Sequence, residues 1–326
     1  MMNHPKHYAG DLAQMQSLPL ETKILMTQTR IRQWYEHFNG EIYVSFSGGI
    51  DSVLLLNIAR ELYPDIPAVF CDTGLEYPEI RAFVKLFDNV DWIYPVRYDP
   101  QKREYVRTNF REVIQRYGYP IASKETAKRI YALRHYNLTT EYRNRLLGLT
   151  DAPAWKAVSK RWRSLLDAPF EVGDKCCDAM KKRPFHKYEK ETGRKPMVAT
   201  MAAESKLRWE SWMRYGCNAF SRKAGPQSRP MSFWTDQDAL QYLVTYHIPY
   251  CSVYGEIVRD EKGLKTTGCE RTGCMFCMFG CERDRNPNRF QRMAKTHPKQ
   301  YAYCMKPWSE GGLGLDEVLT FIGVEH

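Results

Sequence analysis

No run of about 18 consecutive apolar residues occurs anywhere in this 326-residue chain, which excludes a membrane-spanning helix. Residues 1–17 are polar and lack the apolar centre of a secretory signal, so the expected setting is the cytoplasm, with no membrane partner. Over Gln101–Leu166 there is no clear internal repeat and no low-complexity tract. Histidine is scarce, and His186, His247 and His297 do not cluster, so they read as satisfied surface or core residues rather than ligands. Without an export signal, the ten cysteines read as metal-binding or catalytic rather than as disulfides.

Acidic residues are sparse in one place. Between Gln101 and Leu165 there are 5 lysines and 10 arginines against 4 glutamates and 1 aspartate, so this segment alone carries the net charge of +10. Aromatic side chains are interleaved with those cations, among them Tyr105, Phe110, Tyr117, Tyr119, Tyr131, Tyr136, Tyr142, Trp155 and Trp162. Two readings follow. The segment is a solvated helical face with its rings turned inward, or it holds DNA or RNA, arginine meeting phosphate and rings meeting bases.

The most informative string runs from Glu41 to Ser52, E-I-Y-V-S-F-S-G-G-I-D-S. A buried strand leads into a glycine pair and then into the apolar helix that begins at Val53. Glycines between a strand and a helix N-terminus let backbone N–H groups approach an anion, and the helix dipole adds positive potential. Ser45, Ser47, Gly48, Gly49, Asp51 and Ser52 are therefore candidate phosphate-binding residues. Asp51 at the helix start either complements the dipole or holds Mg²⁺ against a leaving pyrophosphate.

Apolar periodicity predicts a helix over Glu21–Phe38 and strands at Ile42–Phe46, Ala68–Cys71 and Trp92–Val96, with a helix over Pro78–Phe87 between the last two. A returning strand is expected at Pro196–Met201, a helix capped by Thr235 over Asp236–Tyr246, and a last helix near Leu315–Ile322. Strands alternating with helices predict an α/β fold built on a doubly wound parallel sheet. It would carry a basic helical insertion and a cysteine-rich C-terminal region. The expected division is a polar arm over 1–20 and the first part of an α/β core over 21–100. The basic aromatic insertion follows over 101–166, the rest of the core over 167–250, and the cysteine-rich region with the final helix over 251–326.

Ligands of such sheets sit beyond the carboxyl ends of the strands. Asp72-Thr73-Gly74 lies at one such end, where Asp72 either caps the turn or accepts from a ribose or adenine amine or a magnesium ion. Glu204, Ser205 and Arg208 follow the returning strand, and Lys124 follows a Gly-Tyr-Pro turn from which it can reach a phosphate. Cys269, Cys274, Cys277 and Cys281 fall within thirteen residues as C-x4-C-x2-C-x3-C, and Cys176-Cys177 form a vicinal pair. Six thiols are thus available for about four positions on zinc or an iron–sulfur cluster.

Taken together and in this order, the SGGxDS loop, Asp72-Thr73-Gly74, the Cys176-Cys177 pair, Glu204-Ser205 with Arg208, and Cys274-x2-Cys277 resemble the phosphoadenosine-phosphosulfate (PAPS) reductase family. That family lies within the adenine nucleotide α-hydrolase, or PP-loop, superfamily. The resemblance covers Glu21 to the C-terminus, least well in the basic insertion. It implies a doubly wound fold and an adenine nucleotide at the glycine loop. The vicinal pair with C-x2-C is similar to the [4Fe–4S] ligand set of adenylyl-sulfate reductases. On that likeness Cys176, Cys177, Cys274 and Cys277 are the first ligand set, with Cys269 and Cys281 as substitutes. A cluster on three cysteines with one open iron is a variant of the same idea.

Two departures bear on activity. The Glu-Cys-Gly-[Ile/Leu]-His string of sulfonucleotide reductases is absent, and Cys304 lacks its context. The intact SGGxDS is similar to the ATP-cleaving members of the superfamily. The leading expectation is therefore an enzyme that cleaves Mg-ATP to AMP and pyrophosphate and activates an acceptor, such as a nucleic acid, for iron–sulfur-assisted sulfur transfer from a donor or redox protein. Asp51 and Lys124 would serve catalysis. The alternative is a PAPS or adenylyl-sulfate reductase using Cys304 or an external thiol. A second alternative is a non-catalytic nucleic-acid-binding protein with a structural metal.

Overall fold

The strand Ala68–Cys71 has no polar residue, as expected of a strand covered on both faces, and all four residues are buried. In the computed structural model, which describes residues 7–221 and 225–326, it lies inside a six-stranded sheet. Residues 1–6 of the expected N-terminal arm lie outside the described residues, as do 222–224. The chain forms two compact units. The first comprises Met1–Asp72, Glu76–Ile93 and Pro184–Thr272; the second comprises Thr73–Leu75, Tyr94–Arg183 and Gly273–His326.

In chain order the strands are β1 (Ile42–Ser45), β2 (Ala68–Cys71), β3 (Val90–Ile93), β4 (Val96–Asp99) and β5 (Glu104–Arg107). They continue with β6 (Lys195–Val198), β7 (Asn218–Ala219), β8 (Gln227–Ser228), β9 (Ile257–Asp260) and β10 (Gly263–Thr266).

The sheet of the first unit runs β3-β2-β1-β6-β8-β7. Its pairs are parallel, with Val44 opposite Ala68 and Met197, except that β7 pairs antiparallel to β8 at the edge. The helices Ile50–Leu62 and Pro78–Val84 carry the chain from β1 to β2 and from β2 to β3. The chain then returns to pair β6 on the other side of β1, so the winding direction reverses between β1 and β6. Side chains alternate accordingly. Ile42, Val44 and Phe70 join the core with Leu54, Leu55 and Ile58, whereas Tyr43 and Val69 pack under Tyr188 and Phe185 of the helix Arg183–Thr192. Helices therefore cover both faces, and the fold is α/β and doubly wound. Truncating a fully buried leucine such as Leu54 or Leu55 to alanine costs about 2–5 kcal/mol in such a core.

Helix ends follow the sequence signals. Thr235 caps Asp236–Tyr246 in a reciprocal box with Asp238. Leu20–His37 matches the expected first long helix, and Leu315–Phe321 the last. One boundary moved. The strand expected over Trp92–Val96 is instead β3 ending at Ile93 and β4 starting at Val96, because Pro95 interrupts the ladder between them.

The second unit opens with the β4–β5 hairpin, Val96 opposite Arg107 and the Tyr98 and Tyr105 rings 5.5 Å apart. The basic segment is thus not helical from its start. Helices Phe110–Tyr117, Lys124–His135 and Thr140–Leu147 follow. A five-residue π-helical stretch, Asp178–Lys182, begins directly after Cys176-Cys177. Among the described residues no helix is long and apolar enough to cross a membrane.

Candidate functional site

The reversal between β1 and β6 places the Ser47–Ser52 loop and the Ala202–Glu204 turn at the carboxyl ends of adjacent strands, where open α/β sheets bind ligands. Gly48 adopts φ +71°, and a Cβ there would lie 2.8 Å from Val84 Cγ2 and 3.0 Å from Ile80 Cγ2. Only glycine lets the loop turn this tightly against the helix Pro78–Val84. Gly49 is the N-cap of Ile50–Leu62. The loop is braced internally. The Ser47 amide donates to Ser52 Oγ at 3.1 Å, and Ser52 Oγ donates to the Gly49 carbonyl at 2.8 Å. Tyr254 adds an outer brace, its hydroxyl accepting from the Ile50 amide at 3.3 Å and meeting Thr272 Oγ1 at 2.8 Å.

Charge collects at the same helix start. Asp51 is partly buried, and burial foremost, then the charge of Asp236, pushes its carboxyl up to about 6, while Arg271 and Arg208 pull it back. The two arginines converge on Glu204. Arg271 Nη1 lies 2.7 Å from Glu204 Oε2, and Arg208 pairs with Oε1 of the same carboxylate. Glu204 is only 7% exposed and also accepts from the Met201 amide at 2.8 Å. Arg271 further approaches Asp236 at 3.7 Å. A buried carboxylate thus holds two guanidinium groups that share the electrostatic environment of Asp51. That arrangement suits a polyanion arriving at the loop.

Of the expected nucleotide residues in the first unit, Ser45 ends β1, and Ser47, Gly48, Gly49, Asp51 and Ser52 form the loop. Glu204 and Arg208 join them through the ion-pair network. Ser205 caps the helix Lys206–Tyr215, its Oγ accepting from the Arg208 amide at 3.3 Å. Asp72, 8% exposed, pairs with Arg81 at 2.8 Å. Thr73 and Gly74 fall in the second unit, where Thr73 Oγ1 accepts from the Leu75 amide. Sequence reasoning missed Arg271, Thr272, Tyr254 and Asp236. Arg271-Thr272 sits within the cysteine run, whose spacing drew attention to its thiols alone.

The cysteine run divides. Cys269 belongs to the first unit, its amide donating to the Val253 carbonyl at 3.0 Å, while Cys274, Cys277 and Cys281 belong to the second with Cys176 and Cys177. Burial raises the Cys176 thiol, and the neighbouring Cys177, Cys274 and Cys277 raise it further. Burial likewise raises Cys277, which Cys177 raises and the Arg289 and Lys124 charges lower. The four thiols of the first ligand set therefore share one electrostatic neighbourhood. Lys124, exposed at the start of its helix, belongs to that neighbourhood as well. Among the described residues, however, no three Cys, His, Asp or Glu side chains are gathered into a ready-made metal-binding group. The backbone beside Cys277 is pinned: Arg289 donates to the Cys277 carbonyl at 2.9 Å and clasps Asp284 at 2.6 and 2.8 Å. Cys176 is buried, whereas Cys177, Cys274 and Cys277 are only partly so, and thiols of this kind are the soft donors that thiophilic metals take. Cys281 is buried and pushed up to about 12.

Cys304 is fully buried, donates to the Tyr301 carbonyl at 3.3 Å, and is pushed up to about 12 by burial. This is the setting of an inert structural thiol, not of an accessible thiolate nucleophile.

The family described as "Phosphoadenosine phosphosulfate reductase domain" matches residues 41–112, the stretch from β1 through β5 that contains the glycine loop. This segment is similar to the PAPS reductase domain, and the similarity spans about a fifth of the chain. The chain is 37% identical over 65 residues to the phosphoadenosine 5'-phosphosulfate reductase of Serratia proteamaculans, covering 20% of this chain and 26% of that protein. An uncharacterized protein of Methanocaldococcus jannaschii is 32% identical over 101 residues, 31% of this chain and 23% of that protein. The chain thus spans about a quarter of the length of these relatives. Among solved structures, the PAPS reductase of Candida auris in a phosphate complex aligns at TM-score 0.38 and 12% identity, over 79% of this chain and 98% of that one. The FMN adenylyltransferase of Candida glabrata aligns at TM-score 0.40 and 11% identity, over 78% and 67%. The PAPS reductase match ends before all six candidate ligand cysteines.

Proposed function

We propose that this protein binds ATP with Mg²⁺ at Ser47–Ser52 and cleaves it to AMP and pyrophosphate while activating an acceptor. One observation carries the reading. An intact glycine loop at a helix N-terminus stands beside Arg208 and Arg271, two cations held by the buried Glu204. Of the first-turn amides, that of Ile50 donates to Tyr254, and those of Asp51 and Ser52 would meet phosphate oxygens. The arginines would take up charge as it develops on the leaving pyrophosphate. An acceptor oxygen would attack the α-phosphorus, the bond from that phosphorus to the bridging oxygen would break, and pyrophosphate would leave with the electron pair. AMP would then leave as a sulfur nucleophile, supplied by a donor or redox protein, takes its place on the acceptor. A nucleic-acid acceptor would account for the basic segment 101–165.

Asp51 would hold Mg²⁺, which when bound supplies charge neutralisation at the phosphates. Cys176, Cys177, Cys274 and Cys277 would hold a [4Fe–4S] cluster, with zinc as the alternative occupant and Cys269 and Cys281 as substitute ligands. A bound cluster would supply sulfur or electron chemistry to the activated acceptor. Lys124 would lend positive charge to that cysteine neighbourhood.

The test is anaerobic incubation of purified protein with Mg-ATP, with and without mixed nucleic acid. AMP and pyrophosphate are expected, and Asp51→Asn should lower their formation at least tenfold. No AMP under either condition overturns the reading. A sulfonucleotide reductase is the second reading, favoured by the match over 41–112. Thiol-dependent sulfite release from PAPS or adenylyl sulfate would establish it. The burial of Cys304 then requires the thiol to come from elsewhere.

A further inference from the structure

The positive charge of the second unit is not matched by an acidic face within the same segment, and its rings are not all turned inward. Phe110, Tyr119 and Trp162 are buried, but Trp155 is 73% exposed, Tyr136 59% and Tyr142 37%. Each of two exposed rings is paired with a cation, Arg145 at 4.7 Å from the Tyr142 centroid and Lys156 at 5.3 Å from that of Trp155. Isolated rings set among cations are not an apolar protein-docking patch. The same segment holds a polar cleft of about 410 Å³ lined by Leu133, Arg134, His135, Arg143, Leu166 and Asp167. Glu171 engages Arg134 at 3.0 Å and His135 at 2.7 Å, whereas Arg143 makes one long contact, 3.4 Å to the Leu133 carbonyl.

The frame that carries these groups is fixed. Arg129 donates to the carbonyls of Trp155 and Ala157 at 2.9 Å, which ties the turn Ala154–Lys156 to the helix Lys124–His135. The Val158 amide donates to the Leu146 carbonyl at 2.8 Å, and Arg163 bonds the Leu147 carbonyl, so the chain that follows the turn is tied to the helix Thr140–Leu147. Rings on such a frame lose little freedom when a base stacks on them.

We infer that this face, formed by the two helices and the Ala154–Lys156 turn, binds single-stranded nucleic acid. Tyr136, Tyr142 and Trp155 stack unpaired bases, while Arg143, Arg145 and Lys156 meet the phosphates. Protruding rings need bases free of a duplex, and every base offers a π-face, so the surface selects strand state more than sequence. The inference deepens the nucleic-acid part of the proposed function and does not depend on ATP cleavage.

Binding of labelled single-stranded DNA, single-stranded RNA and duplex DNA to the full chain, measured by fluorescence anisotropy without ATP, separates the two claims. Single strands should bind more tightly than duplex, with an affinity that falls steeply with salt. Tyr142→Ala and Trp155→Ala should each weaken binding about tenfold at an unchanged salt slope. Arg143→Gln should flatten the slope by about 0.7, the share of one phosphate contact. All three positions are on the surface, and circular dichroism verifies that the variants fold. The inference is overturned by absence of binding at low salt, by preference for duplex, by ring variants that bind as the parent does, or by anionic phospholipid vesicles displacing the strand. AMP formation with no strand binding would leave the ATP reading standing and remove this one.

Discussion

Gly48 and Asp51 show how single residues are set by their surroundings. At Gly48 a side chain meets two penalties: a left-handed backbone and methyl groups of Val84 and Ile80 already within 3.0 Å. Gly48→Ala should therefore cost about 2–4 kcal/mol, the sum of the left-handed penalty and overpacking. Gly74→Ala has φ +74° but no atom within 4 Å of the new Cβ, and should cost only about 1–2 kcal/mol. Urea denaturation midpoints would compare the two, and equal losses would contradict the packing argument. Asp51 binds its proton more tightly in the folded state, about 6 against an ordinary 3.8. The native state then holds more protons than the unfolded chain between these values, so stability falls as pH rises through that window. Without nucleotide or Mg²⁺, Asp51→Asn should be more stable than the parent by on the order of 2 kcal/mol at neutral pH. The advantage should vanish below about pH 4, where the parent is also neutral. A pH-independent difference in urea titrations would rule this out. A residue that weakens the resting fold yet sits at the loop is the pattern expected of a functional carboxylate.

At the scale of elements, the helix Asp236–Tyr246 does more than its sequence suggests. Thr235 was legible as its cap, but Asp238 has a second task. Its carboxylate also accepts both 2.7 Å hydrogen bonds from Lys23 Nζ, whose side chain is 2% exposed, across 215 residues of sequence. Asp238→Ala removes the cap partner and strands a buried ammonium, so a loss of about 3–5 kcal/mol is expected. The double variant Lys23→Met/Asp238→Ala should recover much of it, which a thermal-melt cycle would measure. Additive losses would mean the pair is not coupled. The β4–β5 hairpin is the element the sequence hid. Its strands are four residues each and rich in charge, so the basic composition masked a period-two pattern that becomes visible only once Tyr98 and Tyr105 are seen to pair.

For the molecule as a whole, the two units divide the chemistry. The sheet, the glycine loop and the arginine–glutamate network lie in the first, while five of the six candidate ligand cysteines lie in the second. If a cluster or zinc holds the second unit's thiols, removing it by chelation or oxidation should raise amide hydrogen exchange around 176–182 and 274–284. Exchange in β1, β2 and β6 should stay unchanged. Unaltered exchange around the cysteines would remove the metal from the proposal. An anaerobic preparation with iron and acid-labile sulfide, both lost in Cys277→Ser, would identify the occupant.

The sequence by itself determined the sheet, because buried parallel strands must be apolar and the helices between them periodic. It also determined the glycine loop, because its tight turn at Gly48 tolerates no side chain. What only the tertiary structure decided were contacts between residues far apart in sequence. Arg271 meets Glu204 across 67 positions, Tyr254 braces Ile50 across 204, and Lys23 finds Asp238. The same holds for burial. Cys304 and Cys176 are alike as letters and both buried, but one donates to a backbone carbonyl and the other feels the charge of three further thiols. Local pattern follows from the short-range geometry of the backbone, whereas the electrostatics of a site depend on which charges the folded chain brings within a few ångströms of one another.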